Sequence, residues 1–440
     1  MAGATANFVP APDNRFNPDP LPEHVTDYDV IVVGAGPGGS TAAALLAKRG
    51  LSVGLFDKAT FPRDKVCGDA ISGKSVRILE ELDILERVQE APNAVGAGVR
   101  FSSPEGREVV IPFPRRKAAQ HRLERGASAY NDAGYVCRRE VYDNIVFEAA
   151  VKAGADAHEG TQVEELLWNE GSVAGVRTKD GTEHAAKCVV GAGGALCPVA
   201  RAVGAYDRDG AHWVAAIRVY WQGISGMDEN IEIHFMDHVI PGYFWIFPLE
   251  NGLANVGVGM LESQIKRPGN ERDLKDLLEQ CYRHPIVRER FEGATKLEGS
   301  QRGWILPLGS KKRPMHGNGW VLVGDSASLI DPFSGEGIGN AMLSASLAAR
   351  TIERALAMPG GCTRKNLAPY EEAVRDELDD ELATSYKLQK LGQHTWLLNF
   401  VIKRAATRPH VAQTISDMLA DREKTQEMAS WWFYAKLLLR

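Results

Sequence analysis

The first residues able to do chemistry form a loop suited to a pyrophosphate. Gly34-Ala35-Gly36-Pro37-Gly38-Gly39 spells G-x-G-x-x-G, between the β-branched run YDVIVV and the small-residue stretch PGGSTAAALLAKR. In that setting Gly34 permits a tight turn, Gly36 lets the backbone approach a phosphate, and Gly39 lets helix and strand pack closely. The helix start adds unpaired N–H groups and the positive end of its dipole. Asp57 closes the next apolar run, LSVGLFDK. A carboxylate there suits ribose hydroxyls and points to an unphosphorylated ribose, as in FAD or NAD. A bare glycine-rich turn is the plainer alternative, but strand, helix and acid stand in the order that a dinucleotide needs.

A second constellation lies in WVLVGDSASLIDPFSGEGIGNAM, residues 320–342. Gly324-Asp325 closes a strand, and a Pro-Phe-Ser-Gly-Glu-Gly turn opens a helix. Backbone N–H groups of Gly337 and Ile338 at that start would stabilise developing negative charge. Arg139 and Asp143 sit four apart in YVCRREVYD, a spacing that alone describes an ordinary helix pair. Cys67 lies in FPRDKVCGDAIS, ten residues past Asp57. A thiol there is either a small packing residue or a group that carries a proton. Lys65 nearby either lowers the thiol pKa or stands in solvent.

The elements that must position these groups follow from pattern. YDVIVV and LSVGLFDK read as buried parallel strands around a helix over 37–49, a βαβ unit. Residues 73–90 read as helical, and 99–111 as strands about the turn SPEG. A helix follows Cys137 as far as Ala153. Residues 161–190 read as a β-meander with turns at NEG and KDG, and 213–260 as strand-rich and aromatic. A helix is expected over 337–357, and the last 70 residues are mostly helical by pattern. The fold class is therefore α/β: a discontinuous doubly wound, Rossmann-like dinucleotide domain with an inserted mixed β-sheet substrate domain and a C-terminal helical region. The divisions are a loose arm at 1–26; the dinucleotide domain at 27–100, 130–205 and 315–360; the substrate domain at 101–129 and 206–314; and helices at 361–440.

Composition sets further limits. The 440 residues carry 51 basic and 57 acidic side chains, a formal net charge of −6, which argues against a nucleic-acid partner. Six cysteines without a C-x-x-C pair fit a reduced, cytoplasmic compartment. No 18-residue apolar run predicts a transmembrane helix, and the proline-rich N-terminus lacks a signal-peptide pattern. His212, His234 and His238 lack a metal-ligand spacing, so no metal is expected. TWLLNFVIKRAA (395–406) and SWWFYAKLLLR (430–440) are apolar with basic ends. They suit either packing on the catalytic domain, a dimer interface, or a peripheral contact at the inner face of a membrane.

Two motifs carry a family resemblance. PRDKVCGDAIS resembles the P-x-x-K-x-C-G segment of geranylgeranyl reductases, digeranylgeranylglycerophospholipid reductases included. Tyr243-Phe244-Trp245-Ile246-Phe247-Pro248, with Gly257-Val258-Gly259 after it, is similar to that family's [YF]-x-W-x-F-P…G-x-G segment. The Gly-Asp at 324–325 and the R-x-x-[FY]-D match at Arg139 and Asp143 resemble the wider para-hydroxybenzoate hydroxylase type of flavoprotein. The resemblance spans roughly residues 28–350. It implies FAD as cofactor, with contacts at Gly38, Asp57, Cys67, Gly68, Ala70, Arg139, Val163, Asp325, Gly337 and Ile338, besides the glycine loop itself. It implies an isoprenoid cavity lined by Tyr243, Trp245, Phe247, Pro248, Gly257 and Gly259.

The implied reaction is saturation of an isoprenoid double bond by hydride from reduced flavin N5. An isolated trisubstituted alkene is a poor hydride acceptor, so a proton must arrive as the hydride leaves, against an aromatic wall that tolerates cationic character. Cys67 is the candidate proton donor, or the residue that positions one, facing the alkene from the side opposite Trp245 and Phe247. Electrons would come from NAD(P)H or ferredoxin. Two other readings stand beside this one. The first is a flavin monooxygenase or halogenase, whose W-x-W-x-I-P segment is matched here only with Tyr for the first Trp and Phe for the Ile. The second is a prenyl-lipid carrier that keeps FAD without catalysis.

Overall fold

The computed structural model describes residues 27–113, 134–266, 271–408 and 411–412. The expected arm at 1–26 and the segment 430–440 lie outside them. The βαβ unit forms as its sequence dictates. Val30–Val33 and Val53–Phe56 are fully buried, β-branched and apolar on both faces, as a strand covered on two sides must be. The central sheet runs parallel in the order Asp156–His158, Val53–Phe56, Tyr28–Val33, Glu183–Gly191, Trp320–Leu322. The short His316–Gly317 strand pairs antiparallel at its edge. Glu183–Gly191 has a double duty: its first residues close an antiparallel meander with Ser172–Thr178 and Val163–Asn169, and its last enter the parallel sheet.

The second sheet is mixed. Trp213–Gln222, Leu253–Leu261, Gly242–Pro248 and Asn230–His234 pair antiparallel in that order. Gly98–Ser102 then joins Asn230–His234 in parallel and carries Glu108–Pro112 as its hairpin partner. Alternation along Gly242–Pro248 sorts its side chains. Phe244 and Ile246 enter a core with Val256, Val258 and Leu278, while Tyr243, Trp245 and Phe247 face the other way.

The expected helix at 73–90 is two helices, Gly73–Glu81 and Leu85–Glu90. Between them Asp83 adopts φ 61, a left-handed conformation that ends the first. The Ile338–Leu356 helix packs against Pro37–Lys48, and Arg364–Leu391 runs along it. Thr395–Thr407 packs on the second sheet, burying Leu397, Ile402 and Ala405, with Trp396 left 64% exposed. Among the described residues no helix is long and apolar enough to cross a membrane.

Candidate active site

The glycine loop owes its shape to close approaches. Gly34 has φ +104, and a Cβ there would stand 2.5 Å from the Ala192 carbonyl oxygen. A Cβ on Gly39 would stand 1.7 Å from the Gly34 oxygen, so Gly39 serves packing and stays out of the cavity. Gly36 by contrast faces space: a Cβ there would meet only the Arg63 guanidinium, at 3.7 Å. The Asp57 carboxylate accepts from Ala35 N–H at 2.7 Å and Ala59 N–H at 2.8 Å, which ties the loop to the end of the second strand.

A cavity of about 2540 Å³ opens from this loop and continues between the parallel sheet and the second sheet. It brings together Gly34, Gly36, Gly38, Asp57, Cys67, Gly68, Ala70, Arg139, Val163, Asp325, Gly337 and Ile338. Tyr243, Trp245, Phe247 and Gly259 line it from the second sheet. Gly39, Pro248 and Gly257 are not in its wall. Pro248 ends its strand opposite Ala254. Gly257 lies beneath Trp245: a Cβ there would be 2.3 Å from indole Cζ2. Its absent side chain makes room for the indole rather than for a ligand.

Arg139 forks onto Asp143 at 2.6 and 2.8 Å, both side chains buried, and Arg63 reaches the same carboxylate at 2.7 Å. Burial works against the Arg139 charge, but Asp143 first and Cys67 second outweigh it and hold the guanidinium well above its ordinary value. Arg63 thus stands beside the open backbone of Gly36, with Arg139 in the same cavity wall, a donor set that suits a pyrophosphate. Burial raises the Asp325 carboxyl, opposed by Lys65 and Arg139. Burial, helped by Arg139, holds the Lys65 ammonium down to about 8, and its Nζ sits 4.5 Å over the Trp304 ring. The Ile338–Leu356 helix begins at Gly337 on the same cavity, with Glu336 accepting from Gly339 N–H at 2.6 Å. Loop, paired arginines, the Asp57 carboxylate on the cavity wall and second helix start together fit an FAD.

The Cys67 loop is held from below by groups the sequence reading passed over. Asp69 is fully buried at φ 66 and accepts from Tyr220 Oη at 2.8 Å and Asn255 Nδ2 at 2.7 Å. Asn255 Nδ2 also donates to the Cys67 carbonyl at 2.7 Å, and its Oδ1 accepts from Trp245 Nε1 at 2.9 Å. Desolvation pushes the Asp69 carboxyl up to about 6. Arg218 stacks on Tyr220 at 4.0 Å and bonds Asp64 at 2.7 Å. A signal for Asn255 existed: strand alternation puts it on the same face as Gly257 and Gly259. Asp69 directly follows the Cys-Gly of its motif but had no partner in sequence.

One expectation changes. A Cβ at Gly68 would stand 3.0 Å from the Phe247 ring. The Cys67 loop and the aromatic strand therefore touch and form adjoining walls, not opposed ones. A different arrangement only looks catalytic. Ser102 Oγ, His234 and Glu232 form a chain at 2.7 and 3.0 Å, with Arg290 on the carboxylate. Ser102, His234 and Glu232 are buried and lie outside the cavity wall, so the chain braces the sheet.

Known proteins agree with this geometry. Residues 27–376 match the family described as FAD binding domain. The chain is 33% identical to the menaquinone reductase of Mycobacterium tuberculosis over 74% of this chain and 76% of that one. It is 31% identical to the digeranylgeranylglycerophospholipid reductase of Methanocella arvoryzae, over 83% and 87%. The chain belongs to the geranylgeranyl reductase family of FAD-dependent oxidoreductases. Its fold is also that of a geranylgeranyl bacteriochlorophyll reductase-like protein from Thermoplasma acidophilum, with a TM-score of 0.75, 23% identity, and coverage of 92% and 99%. Flavin-dependent brominases and monooxygenases share the same scaffold. For this flavoenzyme, then, fold and cofactor follow from family, and the choice of reaction rests on the cavity.

Proposed function

We propose that the protein saturates carbon–carbon double bonds in geranylgeranyl or similar isoprenoid chains, carried by a prenyl lipid, a prenyl diphosphate or a quinone tail. The observation that supports this reading is the size and character of the cavity. At about 2540 Å³ it exceeds the roughly 300–1,000 Å³ of a single-ligand pocket. Beyond the dinucleotide end its wall is apolar, with Phe101, Ile233, Phe235, Tyr243, Trp245 and Phe247. A long hydrocarbon beside the flavin is the ligand such a wall suits.

The reduced flavin supplies the hydride when bound. The chain's own residues do the rest. The apolar arm strips water from the chain, and Trp245 and Phe247 present aromatic faces to developing positive charge. Cys67 holds a thiol at the corner where loop and aromatic strand meet, as proton donor or as positioning group. Residues 27–100, 130–205 and 315–360 would form the FAD domain and 206–314 with 101–129 the substrate domain, with the chain crossing to the second sheet already at Gly98. NAD(P)H or ferredoxin would bring the electrons. A lipid substrate favours a cytoplasmic protein resting on the inner membrane face, and exposed Trp396 supports that contact.

The test is anaerobic. The protein is reduced with dithionite, a geranylgeranylated lipid or diphosphate is added, and flavin absorbance is followed together with product mass. Reoxidation matched by a gain of two hydrogens per turnover carries the reading. Rapid reoxidation by oxygen alone, with every prenyl chain unchanged, would instead favour a monooxygenase or halogenase. Cys67→Ala and Cys67→Ser with FAD retained separate a chemical thiol from a packing one.

A further inference from the structure

Among the described residues, Asn255 is the side chain that bonds both the Cys67 loop and Trp245. It is fully buried, both of its amide hydrogens are donated and its amide oxygen accepts from Trp245. Trp245 Nε1 is a donor only, so it must meet the amide oxygen. The Cys67 carbonyl and the Asp69 carboxylate are acceptors, so they must meet the amide nitrogen. The three partners thus fix one orientation of the amide. They also fix the distance between a loop of the FAD-binding half and a strand of the second sheet. Gly257 completes the arrangement by letting the indole lie flat two residues along the same strand face.

We propose that Asn255 is a positioning residue: it holds the Cys67 loop against Trp245, and through that contact sets which double bond of a bound isoprenoid meets the reducing centre. This second clause rests on the reductase reading above. Double bonds recur along an isoprenoid at fixed intervals. A wall of fixed relative position therefore presents one of them, and a wall free to slide presents several. An amide is required. A carboxylate at 255 would face the Asp69 carboxylate and the Cys67 carbonyl with acceptors, and leucine would take one hydrogen bond from each of the three partners, leaving Asp69 only its bond from Tyr220.

The experiment uses the full-length FAD-loaded protein as wild type, Asn255→Leu, Asn255→Asp and Trp245→Phe. The first readout is alkylation of Cys67 by iodoacetamide, mapped by mass spectrometry. Cys67 is the half-exposed thiol, and the other five cysteines are buried, so the reagent reports on the loop. The second is the position of the saturated bonds in products from a geranylgeranyl chain. Loss of one buried, charge-linked contact predicts Cys67 alkylation about tenfold faster in Asn255→Leu and Asn255→Asp. It also predicts mixed product isomers where wild type gives one order of reduction. Trp245→Phe keeps an aromatic ring on the cavity wall but removes the donor and part of the indole, so it must broaden the product pattern even if both Asn255 variants fail to fold. Unchanged alkylation in a folded Asn255 variant, or an unchanged product pattern in Trp245→Phe, overturns the proposal. A wild type inert towards every prenyl chain sinks the reductase reading instead, and the alkylation rates still decide whether Asn255 holds the loop.

Discussion

The Trp245 indole lies against Gly257 so closely that a methyl group at 257 would stand 2.3 Å from Cζ2 and 2.6 Å from Cη2. The Ile217 carbonyl oxygen blocks the other side at 2.4 Å. Gly257→Ala must therefore displace the ring or the strand. Overpacking of this kind costs about 1–3 kcal/mol, visible as a lower thermal midpoint and a changed tryptophan emission. FAD affinity should hold, because Gly257 is outside the cavity wall. Gly259→Ala is the control. Its nearest contacts would be 3.4 to 3.8 Å, ordinary packing, so it should narrow the cavity with little loss of stability.

The paired arginines make a different prediction. Asp143 is fully buried and held by Arg139 and Arg63. Arg139→Met leaves Arg63 alone on the carboxylate and removes one cation from the cavity wall. Hydrogen bonds to charged groups contribute about 1.5–3 kcal/mol, so FAD should bind roughly 10- to 150-fold more weakly. Quenching of flavin fluorescence on titration measures this. Breaking the buried cluster should also lower stability by about 3–5 kcal/mol, and denaturant midpoints check that separately. Full FAD affinity in Arg139→Met would mean that the pair serves only the helix.

These two cases show what was legible beforehand. Gly34, Gly36, Gly39 and Asp57 were readable because local order, strand then loop then helix then acid, dictates their roles. Tyr243, Trp245 and Phe247 were readable as one face because strand alternation is local too. Gly257 was assigned to the cavity wall because sequence cannot show that an indole from the neighbouring strand fills the space above it. Asp69 and Tyr220 were missed for the same reason: they are 151 positions apart and meet only through the packing of two sheets. The break at Asp83 was missed because a left-handed aspartate leaves the apolar spacing of a helix almost unchanged.

Tyr243, on the second sheet, donates to the Ser334 carbonyl at 2.8 Å. Ser334 belongs to the turn before the Ile338–Leu356 helix. Tyr243→Phe keeps the ring and removes the bond, a loss of about 1 kcal/mol. FAD titration should be nearly unchanged. Turnover of a prenyl chain should fall several-fold as the turn loses its tether, and stopped-flow reoxidation of the reduced flavin would read it. An effect on FAD affinity equal to the effect on turnover would place the tether's role in cofactor binding instead.

Asp69 predicts a pH trend in stability. Its carboxyl is pushed up to about 6 by burial, from an ordinary value of 3.8. The folded state therefore binds this proton more readily than the unfolded chain does. The stability it contributes is complete below about pH 4 and is lost as pH rises through about 6, a difference of about 3 kcal/mol at most. Both Asn255 and Tyr220 donate to its Oδ2, while Oδ1 is buried without a partner and can take the proton without displacing either of them. Asp69→Asn tolerates the left-handed backbone and removes the titration. Urea unfolding at pH 4.5 and 7 should show the drop in wild type and a smaller one in Asp69→Asn, where the other raised carboxyls still titrate. A stability drop of equal size in both proteins would assign the pH dependence to other groups.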